Sequence, residues 1–385
     1  MELGVKQMKH YLVITPFFPS EDSFRGSYVY DQVNEIRKQT GTKITVIRLY
    51  SFLDKNAHLY NYDGIDCIPF VVYDIPSFIF PGLFHKINLS RLETLLKQYQ
   101  LSGIDVIHAH VNYPAAHLAI GLKKLLPKAK YLVQHHGFDV YQQKNGRLRF
   151  VFNKIQNKLF KKRSSKLLSQ FDVNIGVSQK VLDQLSHFVT NTSIPLVLYN
   201  GVDTSKFHEV KVDKEEDFTI GCIANFWKIK DQKTLILSAI ELLKEGLKIR
   251  LKFIGSGPTL IECKKLIPQD LEAHFEFMDE VAHHDLNTFY NQINLFVLPS
   301  YYEAFGCVYA ESWATNTPFI AVKGQGIEEV LNDEMKELSL VEVEDVLDLS
   351  SKIRHFYTHN VAFEFNPHLK IENTIRNYIE KIENI

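Results

Sequence analysis

DVIHAHVNYPAAHLAIGLKKLLPKAKYLVQHH, residues 105–136, decides the fold. DVIHAH (105–110) and YLVQHH (131–136) are strand-sized apolar runs, and 114–125 between them has helical length. Strands without a polar face are covered on both faces, and a helix joining two of them makes them parallel neighbours. The alternation continues outward. Upstream lie YLVIT (11–15), KITVIRLY (43–50) and DCIPFVVY (66–73), with helical segments at 27–39 and 87–100. Downstream lie a helical segment at 147–169, then DVNIGVS (172–178) and PLVLYN (195–200).

A polar stretch, HEVKVDKEED (208–217), breaks the pattern and reads as an interdomain linker. The alternation restarts with FTIGCIA (218–224), IRLKFIG (249–255), FEFM (275–278), LFVLPS (295–300) and PFIAV (318–322). An amphipathic helix closes the chain. The expectation is an α/β protein with two Rossmann-like, doubly wound domains facing a cleft, 1–207 and 208–365. The final helix, 366–385, would cross back to pack on the N-terminal domain. A length of 385 residues, too long for one ordinary core, agrees. Ligands of such sheets bind beyond the carboxyl ends of the strands.

Composition narrows the function. Apolar residues make up 45% and charged residues 23%, the balance of a soluble globular protein. The net charge of −1 argues against a nucleic-acid partner held by whole-molecule attraction. Cys67, Cys222, Cys263 and Cys307 lie far apart with no CxxC pair, so neither a disulfide framework nor a zinc knuckle is expected, and free thiols suit the cytoplasm. No run approaches the ~20 apolar residues that span a bilayer. The N-terminus lacks a signal-peptide layout. Met8, just before KHYLVIT, is an alternative start that would leave 1–7 as a loose extension.

The densest chemistry is PSYYEAFGCVYAESWATNTP (299–318). A buried strand ends at Pro299-Ser300, a loop carries Glu303, and Phe305-Gly306 open a helix that includes Glu311. Carboxylates at this spacing suit paired sugar hydroxyls, and a helix N-terminus offers donors to a phosphate. The plain alternative is two solvated acids.

This stretch resembles the E-x7-E signature of retaining glycosyltransferase family 4, whose fold is the two-domain GT-B type. Other matches fall in the family's order. DVIHAH followed by QHHGFD is similar to its strand-end histidine segments, and YNGVDTSKF (199–207) to its N-G-V-D-x-x-x-F segment. GSGP (255–258) and KGQGIEEVL (323–331) resemble its two later glycine turns. The resemblance spans about residues 10 to 335.

It implies that Glu311 holds the nucleotide ribose and Glu303 contacts the sugar ring. His136 would stand close to the transferred sugar, and Lys230 would neutralise the diphosphate. Gly26 and Ser27, in FRGSYVYDQV (24–33), would let the phosphates approach. Gly255, Phe305 and Gly306 complete the expected donor pocket. Asn225 stands where the family often has an arginine, leaving Lys230 as the main cation there, with Arg25 as a candidate substitute. Asn316 replaces a usual glycine. The implied reaction is retaining transfer from a nucleoside-diphosphate sugar to a glycan or lipid-linked acceptor, in cell-surface polysaccharide or glycolipid synthesis. No metal or other cofactor is expected. Two rivals remain, a sugar-nucleotide epimerase of the same fold and a catalytically silent binding or partner subunit.

His108, His110, His135 and His136 invite a zinc reading, but no acid or cysteine accompanies them at ligand spacing. His108 and His110 read as core residues or as supports for His136. GSGP lacks the third glycine of a dinucleotide loop and reads as a tight turn, with Pro258 at the first helical position. Segment 144–166 carries nine lysines and arginines and no acid. It is either a core-packed helix with a solvated flank or a surface that docks on anionic headgroups, which would place the protein peripherally on the inner face of the membrane.

Overall fold

β-Branched and aromatic residues fill the expected strands, and each of those strands forms. The structure is a computed structural model that describes residues 8–21, 23–54, 56–74, 82–141, 152–189 and 193–385, with the backbone alone at 141, 152–159 and 284. The extension 1–7 and the basic residues 144–151 lie outside the described residues.

The chain divides into two compact units, Met1–Tyr199 with Thr374–Ile385, and Asn200–Asn373. The first holds β1 (His10–Thr15), β2 (Lys43–Ser51), β3 (Tyr60–Tyr62), β4 (Ile65–Val72), β5 (Val106–His110), β6 (Lys130–His135), β7 (Val173–Gly176) and β8 (Ile194–Val197). Their order is β3-β4-β2-β1-β5-β6-β7-β8. Only β3 runs antiparallel, paired with β4 as a short edge. β1 and β5 are buried along their whole length, as a sheet covered on both faces requires.

The second unit holds β9 (Phe218–Ile223), β10 (Ile249–Ile254), β11 (Phe275–Met278), β12 (Leu295–Val297), β13 (Phe319–Val322) and β14 (Leu340–Val341). These form a parallel sheet ordered β11-β10-β9-β12-β13-β14. In each unit the chain builds outward to one side of its first strand, then returns to build on the other side. The winding reverses between β1 and β5, and again between β9 and β12. At such switch points the outgoing loops diverge and leave a crevice at the carboxyl ends. The doubly wound plan of both sheets is the one expected from the alternation.

Three details differ from expectation. β3 and β14 carry too few residues to show a period. The helix after GSGP starts at Leu260 rather than Pro258, and the Thr259 N–H before it donates to the Phe226 carbonyl at 3.0 Å. The polar stretch 208–217 is fastened to the second unit. His208 and Val210 donate backbone N–H groups to the Asn287 and Asn291 side chains, and Lys214 Nζ donates to the Ile293 carbonyl at 2.9 Å.

Candidate functional site

In the second unit β9 ends at Ile223, and the chain coils through Asn225, Phe226 and Trp227 before the helix Gln232–Lys244. Backbone bonds wind this loop: Trp227 N–H to Asn225 O and Lys230 N–H to Trp227 O, each 2.8 Å. Asp231 takes a left-handed conformation, φ 49°, and accepts from Thr234 Oγ1 at 2.6 Å, which repays the strain of a non-glycine residue there. The loop after β10 lies directly against it. A Cβ on Gly255 would stand 2.3 Å from the Ala224 carbonyl oxygen, and one on Gly257 2.5 Å from that of Phe226. These glycines serve close backbone packing.

The loop after β12 joins the same cluster. Tyr301 N–H donates to the Ile229 carbonyl at 2.8 Å, and Lys230 Nζ donates to Glu303 Oε1 at 2.5 Å. Both charges are largely shielded, at 27% and 14% side-chain exposure, so the pair is stronger than a solvated one. Under the loop, the Gln325 amide donates to the Ser300 carbonyl, and a Cβ on Gly326 would meet the Ala304 carbonyl oxygen at 1.9 Å. Phe305 is buried, and Gly306, φ 83°, leads into the helix Cys307–Ala314.

Glu311 sits buried on that helix. Its Oε2 accepts from the Tyr290 hydroxyl at 3.0 Å, and His283 Nε2 stands 3.9 Å from Oε1. Burial and the neighbouring carboxylate hold the Tyr290 phenol well above its ordinary range, so it stays a donor. Asn316 ends this stretch at φ 59°, the left-handed backbone that asparagine tolerates in place of glycine. The fold thus brings Lys230 and Glu303 into contact, sets exposed Asn225 on the same loop as Lys230, and gives Glu311 separate partners. Tyr290 and Gln325, which fix these carboxylates and loops, carry no signal in the sequence. Their roles come from positions remote along the chain.

In the first unit, Gly26, φ 93°, precedes the helix Ser27–Thr40, and its Cβ would stand 2.5 Å from the Phe17 carbonyl carbon. The Arg25 guanidinium lies over the Phe17 ring at 4.8 Å. His136 follows β6, with its ring centroid 4.9 Å from that of Tyr28. Asp139 organises this turn by accepting from His136 N–H at 3.1 Å and Asn112 N–H at 2.9 Å, while His135 Nδ1 lies 2.8 Å away. Burial would raise the Asp139 carboxyl, but its contacts with the His135 ring and the Asn112 N–H hold it below its usual range. His108 and His110 are buried core residues, as expected. His135 pairs with Asp139 and Asn174, His110 with His136, and His108 with Tyr11, while the His108 and His110 rings pack with centroids 4.3 Å apart. Among the described residues no three of His, Cys, Asp and Glu gather as a metal site.

Two family models match the chain, glycosyltransferase family 4 over residues 26–206 and glycosyl transferases group 1 over 217–359. An uncharacterized glycosyltransferase of Methanocaldococcus jannaschii is 24% identical across 78% of this chain and 79% of its own. The alpha-monoglucosyldiacylglycerol synthase of Streptococcus pneumoniae is 24% identical across 74% of this chain and 66% of its own. Among solved structures, Anabaena HepE in complex with UDP and glucose superposes with a TM-score of 0.70 at 14% identity, over 98% of this chain and all of that one. The matches cover both units in order, and the chain belongs to glycosyltransferase family 4, the glycosyl transferases group 1, with the GT-B type of fold.

Proposed function

We propose that the protein transfers a sugar, with retention at the anomeric carbon, from a nucleoside-diphosphate sugar to an acceptor hydroxyl in polysaccharide or glycolipid synthesis. The observation that carries this reading is the shielded Lys230–Glu303 pair at the switch point of the second sheet. A diphosphate arriving there would compete for the Lys230 ammonium and stabilise itself on it as charge develops in the leaving group. Glu303, released from the lysine, would accept from sugar hydroxyls. Glu311 keeps one oxygen on Tyr290 and would turn the other to the ribose. Asn225, Gly255, Phe305 and Gly306 would line the donor site, and Gly26 and Ser27 would admit the phosphates. His136 would touch the transferred sugar. No protein-bound metal enters this scheme. The UDP and glucose held by HepE and the glycolipid product named for the pneumococcal relative favour such a donor and a lipid-linked acceptor.

A panel of UDP-, GDP- and ADP-sugars with and without lipid and glycan acceptors tests the proposal. Acceptor-dependent release of nucleoside diphosphate with an α-linked product from an α-linked donor supports it. Conversion of the sugar without acceptor would point to an epimerase, and no turnover with any donor to a binding subunit.

Segment 144–166 would dock on anionic headgroups at the cytoplasmic face of a membrane. Among its described residues, Lys161, Lys162 and Lys166 are exposed, and Arg163 donates to the Gly82 carbonyl at 3.0 Å. No described helix is long and apolar enough to cross a membrane. Flotation with anionic liposomes at low salt should carry the protein upward; a wild-type protein left in the soluble fraction would refute docking.

A further inference from the structure

The Glu311 carboxylate has an inner and an outer end. Its Oε2 accepts from the Tyr290 hydroxyl at 3.0 Å, and Tyr290 is sealed from solvent. Burial keeps that phenol protonated, so this oxygen is committed to it. Oε1 lies 3.9 Å from His283 Nε2, and there the side chains keep 12% and 21% of their surface exposed. The carboxylate is therefore open on the side away from Tyr290. His283 and Tyr290 stand seven residues apart, about two helical turns, on the single turn His283–Asp285 and the helix Leu286–Gln292 that follows it. That spacing brings both to one carboxylate. Buried Phe207 backs them, with ring centroids 5.2 Å from His283, edge-on, and 6.0 Å from Tyr290.

A separation of 3.9 Å is too long for a direct hydrogen bond and suits a shared third atom. An oxygen about 2.8 Å from each would subtend an angle of about 90° between them, which a hydroxyl accommodates when it accepts from one and donates to the other. The carboxylate beside Nε2 draws a proton to that nitrogen in the neutral ring, and the charged ring carries one there as well. Nε2 therefore donates in either state, while Glu311 Oε1 only accepts. The pair suits a group that is donor and acceptor at once. A sugar hydroxyl meets both halves, and a hydrogen in its place meets neither.

We infer that His283 is a specificity-determining residue for the donor: its Nε2–H and Glu311 Oε1 share one hydroxyl of the nucleotide ribose, so that the site prefers ribonucleotides to their deoxy counterparts. This rests on the reading of Glu311 as the ribose-holding acid and adds the group that makes the same hydroxyl an acceptor. Tyr290 fixes the carboxylate from within, and His283 reads the hydroxyl from without.

The test is isothermal titration calorimetry of the whole chain with UDP, GDP and ADP, then with the 2′-deoxy and 3′-deoxy forms of whichever binds most tightly. Wild type should bind one deoxy form at least about tenfold more weakly than the ribonucleotide. In His283→Ala the ribonucleotide should weaken about tenfold while that deoxy form barely changes, so the preference shrinks by about tenfold. His283→Gln, whose amide nitrogen reaches the place of Nε2, should recover most of it. An unaltered ribo-to-deoxy ratio in His283→Ala overturns the inference, and a change that merely loosened the fold would give that result by weakening both forms alike. No recovery in His283→Gln overturns it too, as does a wild type with no preference or no affinity for any of the three nucleotides. Glu311→Ala separates the two readings. If it leaves ribonucleotide affinity intact, the ribose role of Glu311 fails; if it weakens binding while the His283→Ala ratio stays unmoved, only the role of His283 fails.

Discussion

At the scale of single residues, holding the donor and driving its departure are proposed to fall to different side chains. Glu311 is anchored by Tyr290 and proposed to hold the ribose, so Glu311→Ala should raise donor KM about tenfold or more and leave kcat within a few-fold. Lys230→Ala removes the cation proposed to face the leaving diphosphate and should lower kcat by roughly 100-fold, the usual scale for losing one electrostatic stabiliser. Steady-state kinetics separates the two, and equal changes of both parameters in both variants would contradict the division. Trp227, 56% exposed on the Lys230 loop, supplies a direct reading of binding, since Trp313 is buried. Its emission should shift on adding nucleoside diphosphate and fall silent in Trp227→Phe. The residue types of the proposed site were legible because acids, glycines and histidines stand out at strand ends. Asp139 and Tyr290 were not, because an aspartate in a turn and a tyrosine on a helix look ordinary until folding sets them against His136 and Glu311.

At the scale of elements, loops are held by backbone contact that leaves no space for a methyl group. Gly326→Ala would drive a Cβ into the Ala304 carbonyl and displace the loop bearing Glu303. The expected result is a loss of about 1–3 kcal/mol in urea unfolding together with weaker donor binding, and unchanged donor affinity would contradict the packing argument. The buried strands were readable because a sheet covered on both faces needs unbroken apolar runs. β3 and β14 were unreadable for the opposite reason. Each is a short edge strand, and two or three residues define no period. The stretch 208–217 misleads by composition, since its polar side chains face outward while its backbone and Lys214 are tied to the second unit.

At the scale of the whole molecule, the two units should respond differently to acid. Burial lowers the affinities of His10, His85, His108, His110, His117 and His136 for protons, and all six belong to the first unit. Between their ordinary value near 6.5 and their lowered folded values, the unfolded chain binds protons that the folded chain does not. Stability is therefore complete above about pH 6.5 and falls as pH drops below it. Urea midpoints should decline between pH 7 and 5, with amide exchange rising first in the first unit; a flat midpoint would contradict the buried neutral histidines. The doubly wound plan was readable from alternation alone, because topology places strand ends together whatever the side chains there do. The most direct test of the central claim is acceptor-dependent release of nucleoside diphosphate from a sugar-nucleotide panel, compared between wild type and Lys230→Ala. The account predicts transfer with retained anomeric configuration by the wild type and a roughly 100-fold slower variant. Inverted product, or equal rates in the two proteins, would contradict it.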